Sequence, residues 1–152
     1  MAFRYKLQKF LEIRIRRKEE QLQAVLAAQA EVVKIEELIQ KNRDEIAQTR
    51  VNMRKADHRL IESYDVFLKH LYEKEEQLQE MLKRAIEMLN IEKEKLTERE
   101  KEVNVLEKHK EKARETYIAE EKAIELKNLS EIGIQKYFAK SVEKQTEEQN
   151  EY

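Results

Sequence analysis

A chain of 152 residues would ordinarily make one compact domain, but 41% of these are Asp, Glu, Lys or Arg and 40% are apolar, too few to fill a thick core. With 31 basic against 32 acidic side chains the chain as a whole has no electrostatic pull on nucleic acid. The absence of cysteine removes any disulfide framework, thiolate metal site or thiol nucleophile, and fits the cytosol.

There is no Pro and a single Gly, Gly133. Helix interiors, which Pro penalises by about 3 kcal/mol and Gly by about 1, are therefore almost uninterrupted, and few, long helices are expected. The longest strictly apolar run, Ala24-Val25-Leu26-Ala27-Ala28, is far short of the roughly 20 residues that span a bilayer and shorter than a signal-peptide apolar region.

The first element opens on a basic amphipathic segment. Through Lys18 it carries Arg4, Lys6, Lys9, Arg14, Arg16, Arg17 and Lys18 against Glu12 alone, while Phe3, Leu7, Phe10 and Leu11 recur at helical spacing. Such a segment can lie on an anionic membrane or grip an acidic protein surface; equally, its apolar row can pack on a second helix whose glutamates meet the basic residues. From Leu11, positions seven apart read Leu11, Lys18, Val25, Val32, Ile39, Ile46, Met53 and Leu60, a coiled-coil seam apolar at all but Lys18. Its companion row is read as Ile15 and Leu22, then Gln29, Glu36, Arg43 and Arg50, with Ile35, Leu38 and Val51 off the line.

The second element has its own seam, Leu68, Glu75, Leu82, Leu89, Leu96, Val103, Lys110, Tyr117 and Ile124, supported at its start by Tyr64, Leu71, Leu78 and Ala85. Met53 and Leu68 are two heptads plus one residue apart, so the phase slips between Arg54 and Ser63. A turn at about residues 55–58, with Asp57 capping the next helix, gives helix 1 over about 4–54 and helix 2 over about 58–140, roughly 75 and 125 Å at about 1.5 Å per residue. Folding back near residue 56 sets Arg4 beside His109 and leaves the rest of helix 2 without an intramolecular partner. The alternative absorbs the slip as local unwinding, in one continuous helix paired with a second copy. The tail, 141–152, reads as disordered.

Groups able to do chemistry do not converge. His58, His70 and His109 are scattered, and the residues three before them are Lys55, Phe67 and Leu106, so the Glu-x-x-His pair of di-iron bundles is missing, as is a helical His-Glu-x-x-His zinc motif. One glycine cannot build a phosphate-cradling loop. The reading is of no catalytic, cofactor-binding or metal-binding residues, no nucleic acid and no small-molecule substrate. Two clusters instead point to partners. Near the turn are Tyr64, Phe67, Leu68, Leu71 and Tyr72, of which Phe67 and Tyr72 lie off the seam. On the unpaired end are Leu126, Leu129, Ile132, Ile134, Tyr137 and Phe138, which no part of a hairpin reaches.

At three places the sequence resembles the FliJ family of bacterial flagellar type III export. The opening Phe3-Arg4-Tyr5-Lys6-Leu7-Gln8-Lys9-Phe10-Leu11-Glu12-Ile13-Arg14 is similar to that family's N-terminal signature. Similarity continues at Tyr64-Asp65-Val66-Phe67-Leu68-Lys69-His70-Leu71 and from Leu96 to Ile132. The resemblance implies an all-α, antiparallel two-helix coiled-coil hairpin with an overhanging longer second helix, like the central stalk of a rotary ATPase. It also implies a place at the cytoplasmic face of the inner membrane at the flagellar base, and as partners the hexameric export ATPase, the cytoplasmic domain of the export-gate membrane protein, and export chaperones. Carried over by position, Tyr64, Phe67 and Leu71 match the gate-contacting pattern, while on helix 1 Gln40, Lys41, Asp44 and Glu45 stand where some relatives have tyrosines. Phe3, Arg4, Leu7, Leu129, Ile132, Tyr137 and Phe138 are the residues expected to meet the ATPase. A related stalk of a virulence secretion system, or a membrane-surface coiled-coil adaptor, are the alternatives.

Overall fold

The computed structural model describes residues 2–150 and is an all-α helical hairpin; Met1, Glu151 and Tyr152, the last two belonging to the expected tail, lie outside the described residues. Helix α1 spans Gln8–Lys55, a 3-10 turn (η1) spans His58–Leu60, and α2 spans Ile61–Asn150. Tertiary contacts divide the chain into two compact units, Leu11–Asn104 and Met1–Phe10 with Val105–Tyr152.

In the Leu11–Asn104 unit the two helices pack antiparallel. On α1 the buried residues Val32, Ile39 and Ile46 are seven apart, as the heptad row requires. The second row departs from the expected one by a single position. It runs through Arg14, Gln21, Ala28, Ile35, Asn42 and Thr49, whereas Gln29, Glu36, Arg43 and Arg50 are exposed. The apolar Ile15 and Leu22 suggest a row four residues after the first, but the helices meet along the row three residues after it, and its polar members find partners there. Arg14 pairs with Glu102 at 2.9 Å, Gln21 donates to the Glu92 backbone carbonyl at 3.0 Å, and the Thr49 hydroxyl donates to the carbonyl of Glu45 at 2.7 Å. Leu60 falls in the 3-10 turn and is exposed, so the first row ends at Met53.

The turn uses neither Gly nor Pro because neither is required: among the described residues no φ is positive. The chain reverses through Ala56 and Asp57, the latter extended at φ −59° and ψ 141°. Asp57 occupies the cap position but its side chain makes no capping bond; its carbonyl instead accepts from the Leu60 N–H at 2.9 Å. Arg54 and Lys55, in the last turn of α1, face the negative end of its dipole.

Ile35, Ile39 and Leu78 form one buried cluster, with Leu82 and Ala85 packed against it. Ile46, Leu68 and Leu71 form a second, with Met53. Between them sits Asn42, 2% exposed. Its Nδ2 donates to the Leu71 carbonyl at 3.0 Å, while its Oδ1 is buried with no partner. A buried amide with one end unsatisfied costs stability and is tolerated in coiled coils where it fixes register. Asn42→Leu is therefore expected to raise the melting free energy by about 1–2 kcal/mol in a thermal circular-dichroism scan; a lower melting temperature would show that the amide bond outweighs its own desolvation.

Beside it, Arg43 pairs with Glu75 at 2.8 Å, and this bond, helped by Asn42 and opposed by partial desolvation, holds the Glu75 carboxyl below the ordinary glutamate range. A depressed carboxylate stabilises the fold above its unfolded value and stops doing so as pH falls through the folded one. Glu75→Gln should accordingly flatten the acid limb of stability below about pH 4.5. The effect, measured by urea melts at pH 3–7, is under about 1 kcal/mol because solvent screens the pair.

In the second unit, non-helical residues 2–5 and the turn at 6–7 lead into α1, and the Tyr5 hydroxyl lies 2.7 Å from His109 Nδ1. Helix α1 thus begins at Gln8 rather than Arg4. Helix α2 continues to Asn150, ten residues past Lys140, so Ser141–Asn150 are helical where disorder is expected. That stretch has no Pro or Gly, and its Glu, Lys and Gln are good helix formers. From Ile118 to Asn150 every residue except Glu121 and Ser141 is exposed, including Ile124, expected in the seam.

Candidate partner surfaces

Near the turn, the three residues matched to the gate contact separate. Leu71, 2% exposed, is a seam residue held between Ile46 and Leu68 and is not available to a partner. Tyr64, one heptad earlier on the same row, is half-buried. Only Phe67, 41% exposed, presents its ring to solvent. The heptad explains this division: Tyr64 and Leu71 are seven apart on the row that faces α1, and Phe67 lies beside it.

Tyr72, the other aromatic off the seam, is engaged within the hairpin. The Arg50 guanidinium lies 5.5 Å from its ring centroid and donates to its hydroxyl. With Arg43, Ile46, Ala47 and Glu75 these residues line a groove of about 380 Å³. On α1, Gln40 donates to Asp44 at 2.9 Å. A further depression of about 380 Å³ is lined by Ala28, Ile35, Ala85, Met81 and Met88 and edged by Glu31 and Arg84. The seam reading missed it because Met81 and Met88 flank the row that faces α1; their spacing of seven was the available signal.

At the other end, Phe3 packs on Tyr117 with ring centroids 5.5 Å apart. The Tyr5 hydroxyl also reaches the Leu106 carbonyl at 3.4 Å, and Lys110 donates to Gln8 at 2.8 Å. The Tyr117 hydroxyl donates to Glu121, which pushes the phenol above its ordinary range because the neighbouring carboxylate opposes a second negative charge. Phe3 and Leu7 are thus half-buried against α2 and Arg4 is exposed.

Leu129, Ile132, Tyr137 and Phe138 are all exposed. At about 100° per residue, Leu126, Leu129 and Tyr137 share one side of α2, Ile132 lies to one flank, and Ile134 and Phe138 lie to the other. The apolar side chains are therefore spread over about two thirds of the helix circumference.

No protein-family model matches the chain, and no curated protein or solved structure matches it. No helix among the described residues is long and apolar enough to cross a membrane.

Proposed function

We propose that this chain is a non-enzymatic stalk of the flagellar type III export apparatus, seated in the hexameric export ATPase and working by contact alone. The observation that carries the proposal is the distribution of apolar residues on α2 beyond Tyr117. A helix apolar on one side needs one partner, whereas one apolar around most of its circumference needs cover from several directions. A ring of subunits supplies that cover. The N-terminal resemblance and the unequal helices, 48 residues in α1 and 90 in α2, support the same reading.

The mechanism follows from asymmetry. One rod inside a sixfold ring meets the six subunits differently, so its interaction free energy differs between them and biases which subunit closes on nucleotide. The turn end, through exposed Phe67, would reach the cytoplasmic domain of the export gate and couple the two, and export chaperones would dock on the same rod. In this reading the protein is cytoplasmic and peripheral to the inner membrane at the flagellar base.

The test is co-elution of the purified chain with the hexameric export ATPase in size-exclusion chromatography with multi-angle light scattering. One chain per hexamer, with a rise in ATP turnover, is the expected result. Six chains per hexamer, or none, would overturn the stalk reading.

A further inference from the structure

Ahead of α1, the segment Phe3-Arg4-Tyr5-Lys6-Leu7 lines, with His109 and Ala113 of α2, a half-open cleft of about 370 Å³ whose surface is almost wholly apolar. Phe3, Leu7 and Ala113 supply the apolar surface. Its charged members are Arg4 and Lys6, no acidic residue lines it, and among the described residues neither cation has an ion pair. Tyr5 is engaged by His109 and the Leu106 carbonyl. The surroundings have the same sign. Residues 2–10 carry three cations and no acid, and residues 105–114 carry four cations and two acids, a net charge of about +5 on a chain whose total is −1.

An apolar cleft lined by the stems of two exposed, unpaired cations, whose charged ends lie at its solvent edge, is complementary to a ligand that is apolar along its length and anionic at one end. The volume lies near the lower limit of ligand clefts, about 300–1,000 Å³, which accommodates one medium-length acyl chain and not the two tails of a membrane lipid. The first turn of α1, which begins at Gln8 directly after the cleft, has no acidic residue to oppose an anion.

We propose that this cleft binds a single-chain amphiphilic anion, its tail held against Phe3, Leu7 and Ala113 and its carboxylate or phosphate head held by Arg4 and Lys6. The site is a property of the chain alone and is independent of the export reading.

Isothermal titration of the full chain with decanoate and with decyl phosphate, each below its micelle concentration, is compared with decanol and decyltrimethylammonium. The expected result is one saturable site for an anion, with decanol weaker by at least about tenfold because it lacks the charge-assisted bonds. Tighter decanoate identifies a fatty carboxylate as the natural head, and tighter decyl phosphate a phosphate ester; either supports the site. Arg4→Ala with Lys6→Ala should lower anion affinity by at least about tenfold, and Leu7→Asp should abolish it, with helicity by circular dichroism unchanged in both. Equal binding of decanol, no saturation below the micelle concentration, indifference to the Arg4 and Lys6 substitutions, or a response only to anionic diacyl vesicles would each overturn the proposal.

Discussion

Leu71→Ala is expected to melt the turn-proximal part of the hairpin, lowering stability by about 2–5 kcal/mol. The side chain is 2% exposed and, with Ile46 and Leu68, makes up the buried cluster nearest the turn. A two-helix seam has no further layer that could collapse into the vacated space, so the loss falls toward the upper part of that range. Domain stabilities are only about 5–15 kcal/mol, and α1 and α2 hold each other here through a single thin seam. Amide hydrogen exchange should show faster exchange over residues 46–71 while residues 89–103 of α2 change less. The control is Phe67→Ala, where the side chain is exposed and the expected change is within about 0.5 kcal/mol. Unchanged exchange in Leu71→Ala would mean that the seam does not run where Leu71 is buried. For the proposed gate contact, the comparison would also separate two causes of lost binding: after Leu71→Ala lost structure, and after Phe67→Ala a lost contact.

How far the hairpin could be read from residues follows the same logic. The first row of α1 as far as Met53, the main row of α2 as far as Tyr117 and the second row of α2 as far as Ala85 are legible because their members are mostly large and apolar, and burial of such side chains is what a seven-residue spacing records. The companion row of α1 was displaced by one position because it contains Arg14, Gln21, Ala28, Asn42 and Thr49, with Ile35 the one large apolar member before Ala56. Nothing in the residue types marks such a row. It faces the other helix because all of its polar groups except Asn42 Oδ1 find a cross-helix or same-helix partner, a property of two helices in register and not of either alone. The turn was legible only as a phase slip, since a reversal with every φ negative has no need of Gly or Pro. The same is true of the partner surfaces. Resemblance to a family picked out Tyr64, Phe67 and Leu71 together, and only the helix register separates the exposed ring from the two that face α1.

If the proposed stalk function holds, the largest effect on function is expected from replacing Ile132, Tyr137 and Phe138 together by Ala: binding to the export ATPase should fall by at least about 100-fold, about 3–6 kcal/mol at roughly 1.5–3 kcal/mol per fully buried large apolar side chain, discounted for partial burial. Stability of the free chain should not change. All three side chains are exposed, Tyr137 and Phe138 at 72% and 61%, and the rings of these two meet edge-to-face at 6.2 Å between centroids. Alanine is the strongest helix former, so α2 keeps its helicity. This combination of lost affinity with unaltered melting distinguishes a contact surface from a structural one. The three residues also sample different sides of the helix, which gives the experiment a second reading through the single substitutions. If several ring subunits enclose the rod, each of the three should lower affinity by itself; if one flat surface binds it, Ile132, Tyr137 and Phe138, which are about 100–140° apart around the helix, cannot all matter. Unchanged affinity in the triple variant would remove this part of α2 from the ATPase contact. Loss confined to one flank would keep the contact and reject the ring.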